Sequence, residues 1–111
     1  ARNKLGGAMD GIPPVEARRL LGEDRDAVLL DVSTPREYEE MRIPGSRLIP
    51  LGSLRGRLRE LSRDTAIVVC CRNSIRGYEA SLILRAAGFG KVRVLDGGVA
   101  MWPFEKVYGA G

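Results

Sequence analysis

The stretch that most constrains this chain is Ala66-Ile67-Val68-Val69-Cys70-Cys71-Arg72-Asn73-Ser74-Ile75-Arg76-Gly77-Tyr78. It starts as a continuous apolar, β-branched run, the pattern of a buried strand. It ends in a segment, Tyr78 to Gly88, that reads as a helix stopped by glycine. The joining loop, Cys71 to Arg76, opens with a thiol and carries two guanidinium groups. Backbone N–H groups and the helix dipole converge at such a place and favour an anion. A free thiol has a pKa of about 8.5, and helix N-termini with nearby cations lower it to about 3.5–7.5. Cys71 is therefore expected to be a thiolate, and a thiolate is a nucleophile.

Around this stretch the chain alternates strand and helix signals. Ala27 to Val32 is apolar throughout, which suggests a central parallel strand. Asp31 lies at its carboxyl end, the side on which ligands bind in open α/β sheets; capping the following loop is an equally good use for it. Pro13 to Gly22 reads as a short helix with proline at its start and glycine at its end. Thr34-Pro35-Arg36-Glu37 reads as a capped helix start with a capping box. Leu51, Leu54, Leu58 and Leu61 recur at helical spacing. Arg55, Arg57 and Arg59 fall off that face, as a solvated surface or as a docking site for an acidic partner. Lys91 to Asp96 is a further strand, nearer an edge because it alternates, followed by a Gly97-Gly98 turn and a short helix, Val99 to Trp102. The expected architecture is α/β: one domain, with a mostly parallel sheet covered by helices on both faces. Residues 1–11, with Gly6, Gly7 and Gly11, are expected to be a flexible lead-in or linker, 12–104 the domain and 105–111 a tail.

Much chemistry is excluded by what is missing. The chain has no histidine. That removes Ser-His-Asp and Cys-His hydrolysis and any histidine-based metal site. The only cysteines are neighbours, Cys70 and Cys71; they form no disulfide framework and a poor zinc site, so no metal is expected. Chemistry must run on Cys, Arg, carboxylates and backbone amides. There is no apolar run long enough to span a membrane and no signal-peptide core. The expectation is a cytoplasmic protein, or a domain excised from a larger one. Net charge is +4. The basic residues are scattered and aromatics make up only 5%, which argues against nucleic acid and leaves a solvated surface or attraction of a small anionic substrate.

Three signatures in one order now make the chain resemble a rhodanese domain. They are Leu30-Asp31-Val32…Glu37-Tyr38…Ile43-Pro44-Gly45-Ser46…Ile49-Pro50, then Val69-Cys70-Cys71-Arg72-Asn73-Ser74-Ile75-Arg76, then Leu95-Asp96-Gly97-Gly98…Trp102. They resemble "D-V-R…E-[FY]…G-H-I-P-G-A…I-P", "V-Y-C-x-x-G-x-R" and "L-x-G-G…W". The resemblance implies transfer of a sulfane sulfur from thiosulfate, a persulfide or a polysulfide to a thiol or cyanide, through a persulfide on Cys71. Arg76 would close the loop against a carboxylate or an anionic substrate. Arg72, Asn73, Ser74, Ile75 and Gly77 would line the persulfide, with backbone N–H groups pointing at it. Only four residues separate Cys71 from Arg76, against five in the related phosphatases, and the tighter cradle suits one sulfur atom.

Several positions depart from the pattern. Ser74 stands for the loop glycine, and is strained there if the position needs positive φ; otherwise its hydroxyl would help hold the persulfide. Ser33 stands for the arginine of "D-V-R", with Arg36 as a candidate substitute, and Arg42 stands for the histidine. Cys70 replaces the usual aromatic and, by strand alternation, points away from Cys71 as a small buried hydrophobe. Arg76-Gly77-Tyr78-Glu79-Ala80 also looks like rhodanese domains fused behind flavin-dependent disulfide or coenzyme A persulfide reductases. That resemblance implies no cofactor in this domain itself, with FAD, NAD(P)H or coenzyme A entering only through a partner flavoprotein domain. The partners implied are a small anionic or thiol sulfur donor and acceptor. The alternative to an enzyme is a catalytically weak binding or regulatory module of a larger protein.

Overall fold

The apolar runs of the sequence become adjacent strands of one sheet: β2 (Val28–Asp31), β5 (Ile67–Cys70) and β6 (Val92–Leu95). The computed structural model describes residues 10–109. Two-residue strands complete the sheet at its edges, β1 (Gly11–Ile12) beside β6 and β4 (Arg47–Leu48) beside β2. The order is β1-β6-β5-β2-β4, and every pairing is parallel. In the centre, Leu30 lies opposite Val69 and Asp31 opposite Cys70.

Alternation along the strands feeds two cores. Leu30, Ile67 and Val69 pack with Leu54, Leu84 and Phe89 on one face. Leu29, Val68 and Cys70 pack with Ile12, Ala17 and Trp102 on the other. Parallel strands need crossovers, and these lay helices on both faces. The second face is covered by α1 (Pro14–Glu23), whose Ala17 is wholly buried. The first is covered by α3 (Leu51–Leu54) and α4 (Ile75–Ala86). Between them in sequence, α2 (Pro35–Glu40) opens with the predicted capping box: Thr34 Oγ1 accepts from Glu37 N at 3.2 Å, and Glu37 Oε1 accepts from Thr34 N at 3.0 Å. Among the described residues, no helix is long and apolar enough to cross a membrane.

Three local expectations change. The leucine-spaced segment is not one α-helix: α3 gives way to a 3₁₀ stretch, Arg55–Glu60, broken at Arg57 (φ −122°). Gly52 and Gly56 lie in it, and glycine is a poor helix former. Strand β6 alternates without being an edge strand, because its half-buried Arg93 reaches sideways to donate to Gly11 O at 2.7 Å, holding β1. Residues 105–111 contain β7 (Val107–Tyr108), which pairs antiparallel with β3 (Met41–Arg42). Most of the lead-in, residues 1–9, lies outside the described residues, and Gly11 already belongs to the sheet.

Candidate active site

Cys71 is the first residue past the carboxyl end of β5 and is wholly buried. The segment after it is shorter than the six-residue loop expected. Helix α4 starts at Ile75, so Ile75, Arg76 and Gly77 are helical. The reason is local: Asn73 Oδ1 accepts from Ile75 N at 3.0 Å, which satisfies a free donor of the first turn. Ser74 sits at φ −94°, and among the described residues only glycines have positive φ, so the strain considered for Ser74 is absent. Its hydroxyl makes no capping bond; its carbonyl accepts from Tyr78 N at 3.1 Å. The Cys71 thiol donates to the backbone carbonyl of Asn73. The sulfur thus faces the Asn73 carbonyl, and among the described residues no backbone N–H donates to it, unlike the ring of amide donors expected from the sequence.

The loop is held from behind by the turn after β6. Val99 N donates to Cys71 O at 2.8 Å, and Ala100 N to Arg72 O at 3.0 Å. Gly98 lies at φ +63°, ψ −161°, a region open essentially to glycine alone. A Cβ there would sit 2.6 Å from the Asn73 carbonyl oxygen. The two-glycine signature is therefore the back wall of the cysteine loop. Three signatures far apart in sequence meet because β2, β5 and β6 are neighbours running the same way.

Both loop arginines are claimed by α2. Arg76 and Glu37 form a bidentate pair, Nη1–Oε1 2.7 Å and Nη2–Oε2 2.9 Å, with each side chain 29% exposed. The Arg76 guanidinium, helped by the Thr34 backbone N–H, pulls the Glu37 carboxyl down to about 2. Arg72 Nη2 pairs with Glu40 Oε1 at 3.2 Å and donates to Glu37 O at 3.4 Å. Glu37 was legible in the sequence as a capping residue and as part of the first signature, but not as the partner of Arg76, because the pair spans 39 residues. Glu40 and Gly98 were not singled out for the site at all.

The remaining candidates are placed as follows. Asp31 is buried on the face of Leu29 and Cys70, not beside the Cys71 sulfur. Its Oδ1 accepts from Ser33 N at 2.9 Å, so it caps the following loop. Its Oδ2 has no hydrogen-bond partner among the described residues, and burial pushes the carboxyl above its usual range. Arg36 does not replace the missing arginine: it is 88% exposed and approaches only Glu40, at 3.7 Å. Gly77 packs the helix on the sheet, where a Cβ would lie 3.0 Å from Val94 Cγ1. Ile75 is 73% exposed at the start of α4. Cys70 lies in the second core, as expected, and burial pushes its thiol well up. Arg42 donates to the carbonyls of Tyr38, Glu39 and Gly109, which ties α2 to the C-terminal segment. Among the described residues no cluster of carboxylates and cysteines is arranged to hold a metal ion.

Comparison with known proteins gives one answer. The model of the rhodanese-like domain family matches residues 13–103. A sulfurtransferase of Allochromatium vinosum is 33% identical over 82 residues, covering 74% of this chain and 77% of that protein. A thiosulfate sulfurtransferase of Pseudomonas syringae is 34% identical over 102 residues, covering 88% of this chain and 94% of that protein. Among solved structures, reduced CoADR-RHD of Bacillus anthracis is 35% identical with a TM-score of 0.76. That match covers 84% of this chain but 16% of the other.

Proposed function

The chain belongs to the rhodanese-like family, and from that premise we propose that it is a sulfurtransferase carrying a sulfane sulfur as a persulfide on Cys71. The observation that supports this most is the fixed placement of Cys71 at the carboxyl end of β5, in a loop whose carbonyls are tied to Val99 and Ala100. The Cys71 thiolate attacks the outer sulfur of the donor. The new S–S bond forms as the donor's own bond breaks, and that electron pair leaves with sulfite or with the donor thiol. An acceptor thiolate or cyanide then attacks the outer sulfur of the persulfide and releases the Cys71 thiolate. The two half-reactions give ping-pong kinetics. The Asn73 carbonyl has to turn from the sulfur before loading, since a carbonyl oxygen repels a thiolate.

The domain needs no cofactor of its own in this mechanism; flavin, NAD(P)H or coenzyme A belongs to a partner reductase domain where one is fused. Its partners are then small donors and acceptors, neither nucleic acid nor membrane, in the cytoplasm. One observation favours a second reading, a weakly active binding module: Cys71 is wholly buried with its thiol bonded to Asn73. Intact mass after incubation with thiosulfate, and separately with glutathione persulfide, decides between them. One added sulfur, mapped to Cys71 and removed by cyanide or thiol, supports the enzyme. No added sulfur on folded, reduced protein supports the module.

A further inference from the structure

The two guanidinium groups that border the cysteine loop are both spoken for. Arg76 is held by both oxygens of Glu37, and Arg72 by Glu40. Of the other basic groups packed around α2 and the loop, Arg42 and Lys106 are held by backbone carbonyls and Arg36 stands exposed. Arg36 projects into solvent toward Glu40. Arg42 donates to carbonyls of Tyr38, Glu39 and Gly109, and Lys106 donates to Ala100 O at 3.1 Å. Thiosulfate brings two negative charges to a thiolate, and sulfite takes two away as it leaves. Three like charges meeting in one loop need counter-charge that is free to face them. The reacting group of a thiol persulfide carries at most one charge, and its leaving group departs as a thiolate that takes up a proton.

We propose that Glu40, with Glu37 beside it, sets donor specificity: by occupying Arg72 and Arg76 these carboxylates disfavour a dianionic donor, and the site is matched to a sulfane sulfur carried on a thiol. This rests on the sulfur-transfer reading above and names the donor class within it. Glu40 is the residue to change, because it is 55% exposed and has no role in the capping box. Glu40→Gln frees Arg72 to turn toward the loop without emptying a buried space.

The experiment measures loading of Cys71 from thiosulfate and from glutathione persulfide, in wild type, Glu40→Gln and Glu40→Gln/Arg72→Ala. Wild type is expected to load from glutathione persulfide with the higher kcat/KM. Glu40→Gln is expected to lower the thiosulfate KM about two- to fivefold, the scale of an exposed ion pair, with kcat little changed. The persulfide KM should move less than about twofold, and the gain on thiosulfate should shrink as salt rises. The double variant should lose the gain, because the freed guanidinium is then gone. Loading that proceeds with no change in the thiosulfate KM, or an equal change for both donors, overturns the proposal and leaves the sulfur-transfer reading standing. Absence of sulfur on Cys71 from either donor overturns both.

Discussion

At the scale of the residue, neighbouring positions have opposite work. Cys70 and Cys71 are adjacent, yet strand alternation sends one into the second core and leaves the other in the loop. Cys71→Ser should abolish sulfur loading, while Cys70→Ser should keep most of it and lower stability by about 1–3 kcal/mol, the cost of a hydroxyl in an apolar site. Peptide mapping after loading and urea melts check the two halves. Gly98→Ala should cost about 1–3 kcal/mol and most of the loading rate, since the added Cβ strikes the Asn73 carbonyl at a backbone angle that favours glycine. Glu37 gives a pH signature. Its folded carboxyl is depressed to about 2, so the stabilisation from Arg76 is complete above the unfolded value of about 4.3 and is lost as pH falls toward 2. Glu37→Gln keeps a capping side chain at this position. Its deficit of about 1 kcal/mol at pH 7 should therefore vanish through that acid window in thermal melts. Asp31 works in the other direction: its raised carboxyl makes its contribution fall as pH rises.

At the scale of the element, what was legible was whatever local pattern dictates. Continuous apolar runs gave parallel strands within a residue or two, and Thr34 and Glu37 gave the start of α2. The start of α4 was misplaced because the signal was Asn73, a side chain that caps two residues ahead and pulls Ile75 and Arg76 into the helix. The leucine spacing at 51–61 was read as a helix, but spacing says nothing of the entropy of Gly52 and Gly56. Those glycines, and Gly22 in α1, have open space where a Cβ would stand. Gly22→Ala and Gly52→Ala should each raise stability by about 0.5–1 kcal/mol in urea unfolding. The two arginines of α4 also separate. Arg76 borders the cysteine loop, whereas Arg85 near the other end pairs with Asp10 at 2.8 Å and donates to Val92 O at 2.7 Å. Arg76→Ala should lower sulfur loading severalfold; Arg85→Ala should leave loading intact and loosen β1, seen as faster amide exchange at Ile12.

At the scale of the whole molecule, the parallel sheet was legible and the assembly around its carboxyl edge was only half so. Cys71 could be found because the strand, thiol and helix that frame it are contiguous. The carboxylates that hold its arginines and the glycine that backs it come from α2 and from the turn after β6, and nothing in a contiguous stretch connects them. The pairing of β3 with β7 was equally invisible, since two-residue strands carry no periodicity. It closes the C-terminal segment against the end of α2, with Arg42 donating to Gly109 O at 2.9 Å.

The backing of the cysteine loop by Gly98 bears on how such a site can diverge. The diameter of the cradle is fixed from outside it, by a wall some 25 positions later in the chain. A single inserted residue between Cys71 and Arg76, the step that would make room for a tetrahedral oxyanion, would press against that wall unless the two-glycine turn moved as well. Descent from a one-atom cargo to a larger one therefore passes through paired changes, and a lineage that keeps both glycines is locked to the smaller guest.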